Sequence, residues 1–193
     1  VGDELARGRP RDPAIDERVM ETALRHLAEQ GYEAMSVVAV ADAAETSRQA
    51  VYRRWPSKAD LATAALARMA RATAPEPTGD HLADLVAELE HFRRAVSRPD
   101  GLSMVGTMLQ RATDPELVRL YRERVVRPRR KRLRAILERA VADGSLDPDA
   151  DLEVAVAMLT GSWYARALAG EAPPARWPER AASLVWTALG GEG

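Results

Sequence analysis

The stretch SRQAVYRRWPSK, Ser47 to Lys58, holds four cations, two aromatics and no acid, in a chain whose formal net charge is −1. Ser47 is a side-chain cap that starts a helix, and Pro56 biases the residue before it out of the helical region, so the spacing predicts a helix from Ser47 to about Trp55. At helical spacing Val51 and Trp55 fall on one face, while Arg48, Gln49, Tyr52 and Arg53 fall on the other. One side is therefore dry and the other wet and cationic. Ser57 caps a further helix, Lys58 to about Ala72, whose Leu61, Ala65, Leu66 and Met69 suit packing onto what precedes it.

Working outward, Asp12-Pro13 opens a first helix with Ile15, Val19, Ala23 and Leu27 on one face, and Gly31 ends it. Ser36 opens a short second helix with Val37, Val40 and Ala41 inward. The turn Ala44-Glu45-Thr46 then leads into Ser47. Two short helices joined by a tight turn, with another helix before them, make a three-helix, homeodomain-like helix-turn-helix. Arginine and glutamine near the start of its second helix are the side chains that read guanine and adenine edges, which makes Arg48 and Gln49 candidate base readers. Ala50 lies beside them. Tyr52, Arg53 and Lys58 are expected on phosphates, with Ser36 and Ser47 acting first as caps. Residues 1–12 read as a flexible basic arm whose Arg7, Arg9 and Arg11 suit an adjacent minor groove.

The rest of the chain is also helical in pattern. The composition, 46% hydrophobic and 30% charged with few β-branched runs, favours an all-α protein of about nine helices. The break APEPTGD, Ala74 to Asp80, separates a DNA-binding domain over 13–73 from a second domain over 79–190. Helices are expected at 81–97, 101–113, 115–144, 149–169 and 178–189, with Pro128 kinking the long one. No cysteine is present, which excludes a disulfide framework and thiolate chemistry. No apolar run approaches membrane length and the N-terminus lacks a signal pattern, so the expectation is a soluble cytoplasmic chain with no membrane partner. His26, His81 and His91 lie outside metal-ligand spacing, and no nucleophile motif or phosphate loop occurs. No metal, cofactor or catalytic residue is expected, and the chain is not read as an enzyme.

A denser basic run, RLYRERVVRPRRKRLR at 119–134, carries nine cations and one acid. Its Leu120, Val125, Leu133, Ile136 and Leu137 keep helical spacing, so its arginines are expected on an outer face, offset by acids at 76–90 and 143–153. The segment 152–169 is apolar nearly all round. With RAASLVWTAL after it, it suits a symmetric four-helix bundle between two copies.

The segment GYEAMSVVAVADAAETSRQAVYRRWPSKADL, Gly31 to Leu61, resembles the DNA-binding region of the TetR-type transcriptional regulators, and order and spacing match over about 15–69. YRRWPSK is a common form of that family's signature. Two residues depart from the pattern: Glu45 stands where glycine is usual and Thr46 where an apolar residue is usual. A non-glycine at that turn demands a less favourable backbone, and the glutamate puts a negative charge near the DNA face.

The resemblance implies a homodimer bound to double-stranded DNA at a palindromic operator, with a C-terminal domain that binds a small molecule and releases DNA. It places the dimer interface on the last two helices, with Gly161, Ser162 and Ala165 allowing close approach and Trp163, Leu168, Leu184 and Trp186 supplying buried area. Phe92, Met104, Met108, Met158 and Tyr164 are candidate pocket residues. Few charged residues look committed to the interior, which leans toward an apolar effector and away from a carboxylate or a metal complex. Two rival readings are a dimeric activator or architectural DNA-binder without a ligand, and a helical enzyme that shares only the N-terminal motif.

Overall fold

The computed structural model describes residues 13–97 and 114–192. Among them there is no strand. The expected arm with Arg7, Arg9 and Arg11, the Asp12 cap, the 101–113 helix, and Met104 and Met108 lie outside the described residues.

Helix α1 runs Pro13–Ala34, with a non-helical break at Gly31 (φ 76°) that only glycine accepts freely. Helix α2 is Val37–Ala43, capped by Ser36 through the Ala39 amide, and α3 is Arg48–Tyr52, capped by Ser47 through the Ala50 amide. The α3 helix is shorter than its pattern suggests. The Arg54 amide already bonds the Val51 carbonyl, so the chain tightens before Pro56. Ser57 caps α4, Lys58–Ala72, through the Asp60 amide. Val51 and Trp55 enter a core built by Val19, Ala23 and Leu27 of α1, Val40 of α2 and Leu61 and Ala65 of α4.

Helix α5 is His81–Val96, with Asp80 as its cap. After Asp114, α6 (Pro115–Tyr121) passes into a π-helical turn, Arg122–Val126, and then α7 (Arg127–Ala142). The Arg127 amide reaches back to the Arg122 carbonyl. This wide turn stands directly before Pro128, whose ring and missing N–H exclude the regular bond to the Arg124 carbonyl. Helices α8 (Leu152–Leu168) and α9 (Trp177–Ala188) complete the second layer, in which α9 packs on α5 and α8, and α7 packs on α5 and α8.

Two cores result, and the chain's break at 74–80 is not their only divider. Leu117, Leu120 and Tyr121 of α6 pack into the core of α1–α4, whereas Leu133, Ile136 and Leu137 of α7 join Leu85, Leu89, Phe92, Trp163 and Trp177. The π turn joins the two. Among the described residues, no helix is long and apolar enough to cross a membrane.

Candidate nucleic-acid interface and effector core

The wet side of α3 is built from its register. Ser47, Arg48, Gln49 and Arg53 are exposed, Ala50 and Tyr52 half-buried, and Val51 buried completely. The Arg48 guanidinium lies 5.3 Å from the Tyr52 ring centre, an i,i+4 cation–π contact that orients it along the helix. Among the described residues, neither Arg48 nor Arg53 pairs with an acid, so both keep their charge for an outside partner. Ser36 is exposed at the start of α2, and both serines are spent on caps.

The neighbouring arginine behaves differently. Arg54 pairs with Asp16 of α1 and donates from Nη1 to the Ala50 carbonyl at 3.0 Å, locking α3 onto α1. Lys58, expected on a phosphate, is turned into the domain instead. Its Nζ donates to the carbonyls of Tyr32 (3.0 Å) and Glu33 (3.1 Å) and lies 4.4 Å from the Tyr32 ring centre. The cause is the Gly31 break, which leaves carbonyls at the end of α1 open to an ammonium. Glu45 takes the left-handed conformation (φ 52°), so the turn holds a strained residue where glycine would relax.

Polar contacts from Tyr32 and from Arg124 tie this unit to the second layer. The Tyr32 hydroxyl donates to Asp114 Oδ2 at 3.0 Å, while Asp114 Oδ1 caps α6. Burial and then the Asp114 carboxylate push the Tyr32 phenol well above its ordinary pKa. Arg124, on the π turn, pairs with Asp60 of α4 at 2.5 Å and bonds the Asp60 carbonyl and Thr63 Oγ1.

The interior of the second layer corrects the expectation of few committed charges. Asp84, Glu88, His91 and Arg129 are all buried. Burial pushes the Asp84 carboxyl up, but the Thr78 amide and hydroxyl and the Gly79 amide together hold it below its ordinary value. Glu88 takes a two-pronged bond from Arg132 at 2.6 and 3.1 Å. His91 Nε2 meets Thr73 Oγ1 at 3.0 Å, and burial first, then Arg132, Arg94 and Arg129 against Glu88, lowers its pKa. Arg129 lies against aromatics: its guanidinium is 4.5 Å from the Phe92 ring centre and Nη2 is 3.4 Å from the Tyr164 hydroxyl.

Phe92 is the hub of that cluster, with Trp163 at 5.6 Å and Tyr164 at 5.5 Å edge-on and Trp177 tilted at 5.9 Å. Thus two of the candidate pocket residues, Phe92 and Tyr164, come together. Met158 does not join them. It is 54% exposed on the outer side of α8, beside Val154 and near Val185 and Leu189 in a surface groove, because the register that buries Ala155 and Leu159 turns it outward. Among the expected dimer residues, Ser162, Ala165, Leu168 and Leu184 are exposed and Gly161 half-buried. Trp163 and Trp186 are corrected: both are buried in their own protomer's core, Trp163 on Phe92 and Trp186 donating from Nε1 to the Glu192 carbonyl at 3.0 Å. Large rings on the inner register of their helices need no second copy to cover them.

Sequence reasoning passed over Arg54, Arg124, Trp177 and Arg129. Arg129 carried a usable signal, since it precedes Leu133 by one i,i+4 step and so shares the buried stripe with Leu133, Ile136, Leu137 and Ala140. Among the described residues there is no group of acids and histidines able to hold a metal.

Comparison with known proteins covers both layers. The family described as "Bacterial regulatory proteins, tetR family" matches residues 19–65, and "Tetracyclin repressor-like, C-terminal domain" matches 75–185. The HTH-type transcriptional regulator YdeS of Bacillus subtilis (strain 168) is 28% identical over 163 residues, 84% of this chain and 82% of that protein. The DNA-binding transcriptional repressor TetR of Mycobacteroides abscessus is 32% identical over 162 residues, 81% of this chain and 83% of its own. A solved TetR family transcription regulator at 28% identity superposes with a TM-score of 0.74 over 93% of this chain and 98% of its own. A TetR transcriptional regulator from Agrobacterium tumefaciens, 22% identical with a TM-score of 0.72 over 93% of each chain, shares the fold.

Proposed function

The chain belongs to the TetR family of DNA-binding transcriptional regulators, and from that premise we propose that it is a homodimeric repressor released from a palindromic operator by a small ligand with an apolar body. The observation that carries this reading is the division of charge on α3. Arg48, Gln49 and Arg53 are exposed, and among the described residues no acid neutralises the two arginines, while the adjacent Arg54 is spent on Asp16. Arg48 and Gln49 read base edges in the major groove, and Tyr52 and Arg53 hold phosphates. Arm residues Arg7, Arg9 and Arg11 follow the backbone into the minor groove.

The dimer reading is supported by α8. Val154, Met158, Gly161, Ala165 and Leu168 form an outward stripe at alternating four- and three-residue steps, and Leu184 on α9 is 73% exposed. Among the described residues, a Cβ added at Gly161 would meet nothing within 4 Å. A helical glycine with no intramolecular reason costs about 1 kcal/mol, and close approach of a partner helix supplies one. A ligand in the second layer shifts α7; the π turn carries that shift through Arg124 to α4 and so resets the spacing of two α3 helices, which must lie about 34 Å apart to enter successive major grooves.

The test is fluorescence anisotropy with palindromic duplexes from the DNA upstream of the protein's own gene. Saturable binding at low salt that weakens steeply as salt rises is the expected result. Binding no tighter than to a scrambled duplex defeats the repressor reading. A monomer at micromolar concentration by sedimentation defeats the dimer.

A further inference from the structure

Four charged or titratable side chains are buried in the second layer, and three of them carry no unmatched charge. Asp84 is held by the Thr78–Gly79 turn and Glu88 by Arg132. His91, whose burial disfavours its charged form, meets Thr73 through Nε2, while its Nδ1 has no partner among the described residues. Arg129 is the exception. It is 8% exposed, its Nε is shielded from solvent and has no hydrogen-bond partner, and among the described residues no carboxylate pairs with it. A guanidinium cannot shed its proton, so the charge persists. Holding it in an aromatic setting without a counter-anion is unfavourable, and the Phe92 face and the Tyr164 hydroxyl offset only a part of that. Nearby, Trp163 is buried on Phe92 with an indole N–H that also lacks an acceptor. Both unmatched groups are donors, and both surround one ring.

The charges around the cluster point the same way. Arg94, Arg129 and Arg132 all act on His91, against the single carboxylate of Glu88, which Arg132 already occupies. Donors without acceptors, in a cationic and aromatic interior, suit an anion whose body is apolar.

We propose that the effector is an organic carboxylate, its headgroup paired with Arg129 and the Trp163 indole N–H and its apolar body packed among Phe92, Tyr164 and Trp177. A planar carboxylate matches the guanidinium fork in a way a neutral amide does not. This rests on the ligand-released reading above and narrows its ligand from apolar to anionic with an apolar body. The aromatic cluster is closed around Arg129, so a ligand must part it. Arg129 and Arg124 share one continuous helical run, which gives that opening a route to α4.

The experiment is calorimetric titration of the full chain with n-alkanoates from butanoate to dodecanoate, benzoate and phenylacetate, each beside its neutral amide, on wild type, Arg129→Met and Arg129→Lys. At least one carboxylate is expected to bind saturably and at least tenfold more tightly than its amide. Arg129→Met should erase that preference, and Arg129→Lys should retain a reduced one. Ligand-free Arg129→Met should melt no lower than wild type, since an unmatched charge has been removed. Amides that bind as well as acids, a preference that survives Arg129→Met, or a series in which no carboxylate saturates overturns the proposal. So does a ligand-free Arg129→Met that melts several degrees lower, because Arg129 would then be a structural residue. Operator release is read separately by anisotropy. A neutral compound that binds and releases DNA leaves the repressor reading intact while removing the anion, and carboxylate binding without any operator binding does the reverse.

Discussion

Two arginine-rich stretches, 47–58 and 119–134, look alike in sequence and divide their cations differently between the fold and the surface. The first has fewer cations and leaves Arg48 and Arg53 exposed and, among the described residues, without an acid, with Arg54 and Lys58 turned inward as fasteners. The second has nine cations and pairs four of them at home, Arg119 with Glu123, Arg124 with Asp60, Arg132 with Glu88 and Arg134 with Glu138, while Arg122, Arg127 and Lys131 stay exposed without an acid among the described residues. Charge density therefore says little about a nucleic-acid surface. What matters is whether the fold supplies an acid within reach. Offsetting acids were expected from 76–90 and 143–153; Glu88 comes from the first, while Asp60, Glu123 and Glu138 are partners from α4 and from the run's own helices.

The contrast can be broken where it is strongest. Arg132→Ala strips the partner from a Glu88 carboxylate that is almost wholly buried, and the expected loss is ~3 kcal/mol or more of unfolding free energy, read by urea denaturation. A loss below ~1 kcal/mol would mean that the second stretch is ordinary solvated surface. Arg48→Ala should do the opposite: stability within ~0.5 kcal/mol of wild type, and specific DNA binding weaker by ~1–3 kcal/mol with nonspecific binding nearly unchanged. Equal losses on both duplexes would reduce Arg48 to a phosphate contact.

A smaller effect is expected at the turn between α2 and α3. Glu45→Gly releases a left-handed residue and removes a negative charge near the DNA face, so it should stabilise the fold by ~1 kcal/mol and tighten DNA binding. Destabilisation would show that the strained turn is held by something the residue itself contributes. Smallest of all, Arg119→Ala cuts an exposed i,i+4 pair with Glu123, and should change stability by no more than ~0.5 kcal/mol and leave DNA affinity unaltered. A measurable loss of DNA binding there would reopen the second stretch as a nucleic-acid surface.

Much of the N-terminal unit was legible because its signals are local. Ser36, Ser47 and Ser57 cap the helices they precede, and each bond spans only a few residues. The fate of Lys58 was not legible, because its partners, the carbonyls of Tyr32 and Glu33, come within reach only when α1 breaks at Gly31 and packs on α4. In the second layer, aromatic residues on α8 and α9 were seen but their facing was not. Trp163 and Met158 lie on one helix, and a change of helical phase separates a buried ring from an exposed thioether. An apolar helix does not announce which of its sides meets its own core.

By itself the sequence determined the helical character, the caps and turns, and the two-sided helix of Arg48 and Val51, since these depend on neighbours within one or two turns. Only the tertiary structure decided which arginines are free. Arg54 finds Asp16, Arg124 finds Asp60 and Arg132 finds Glu88 across long separations in the chain, whereas Arg129 finds aromatic faces and no acid. The physical reason is range: a backbone cap is satisfied within one turn, but a charge is satisfied by whatever the packing of distant helices brings within about 4 Å.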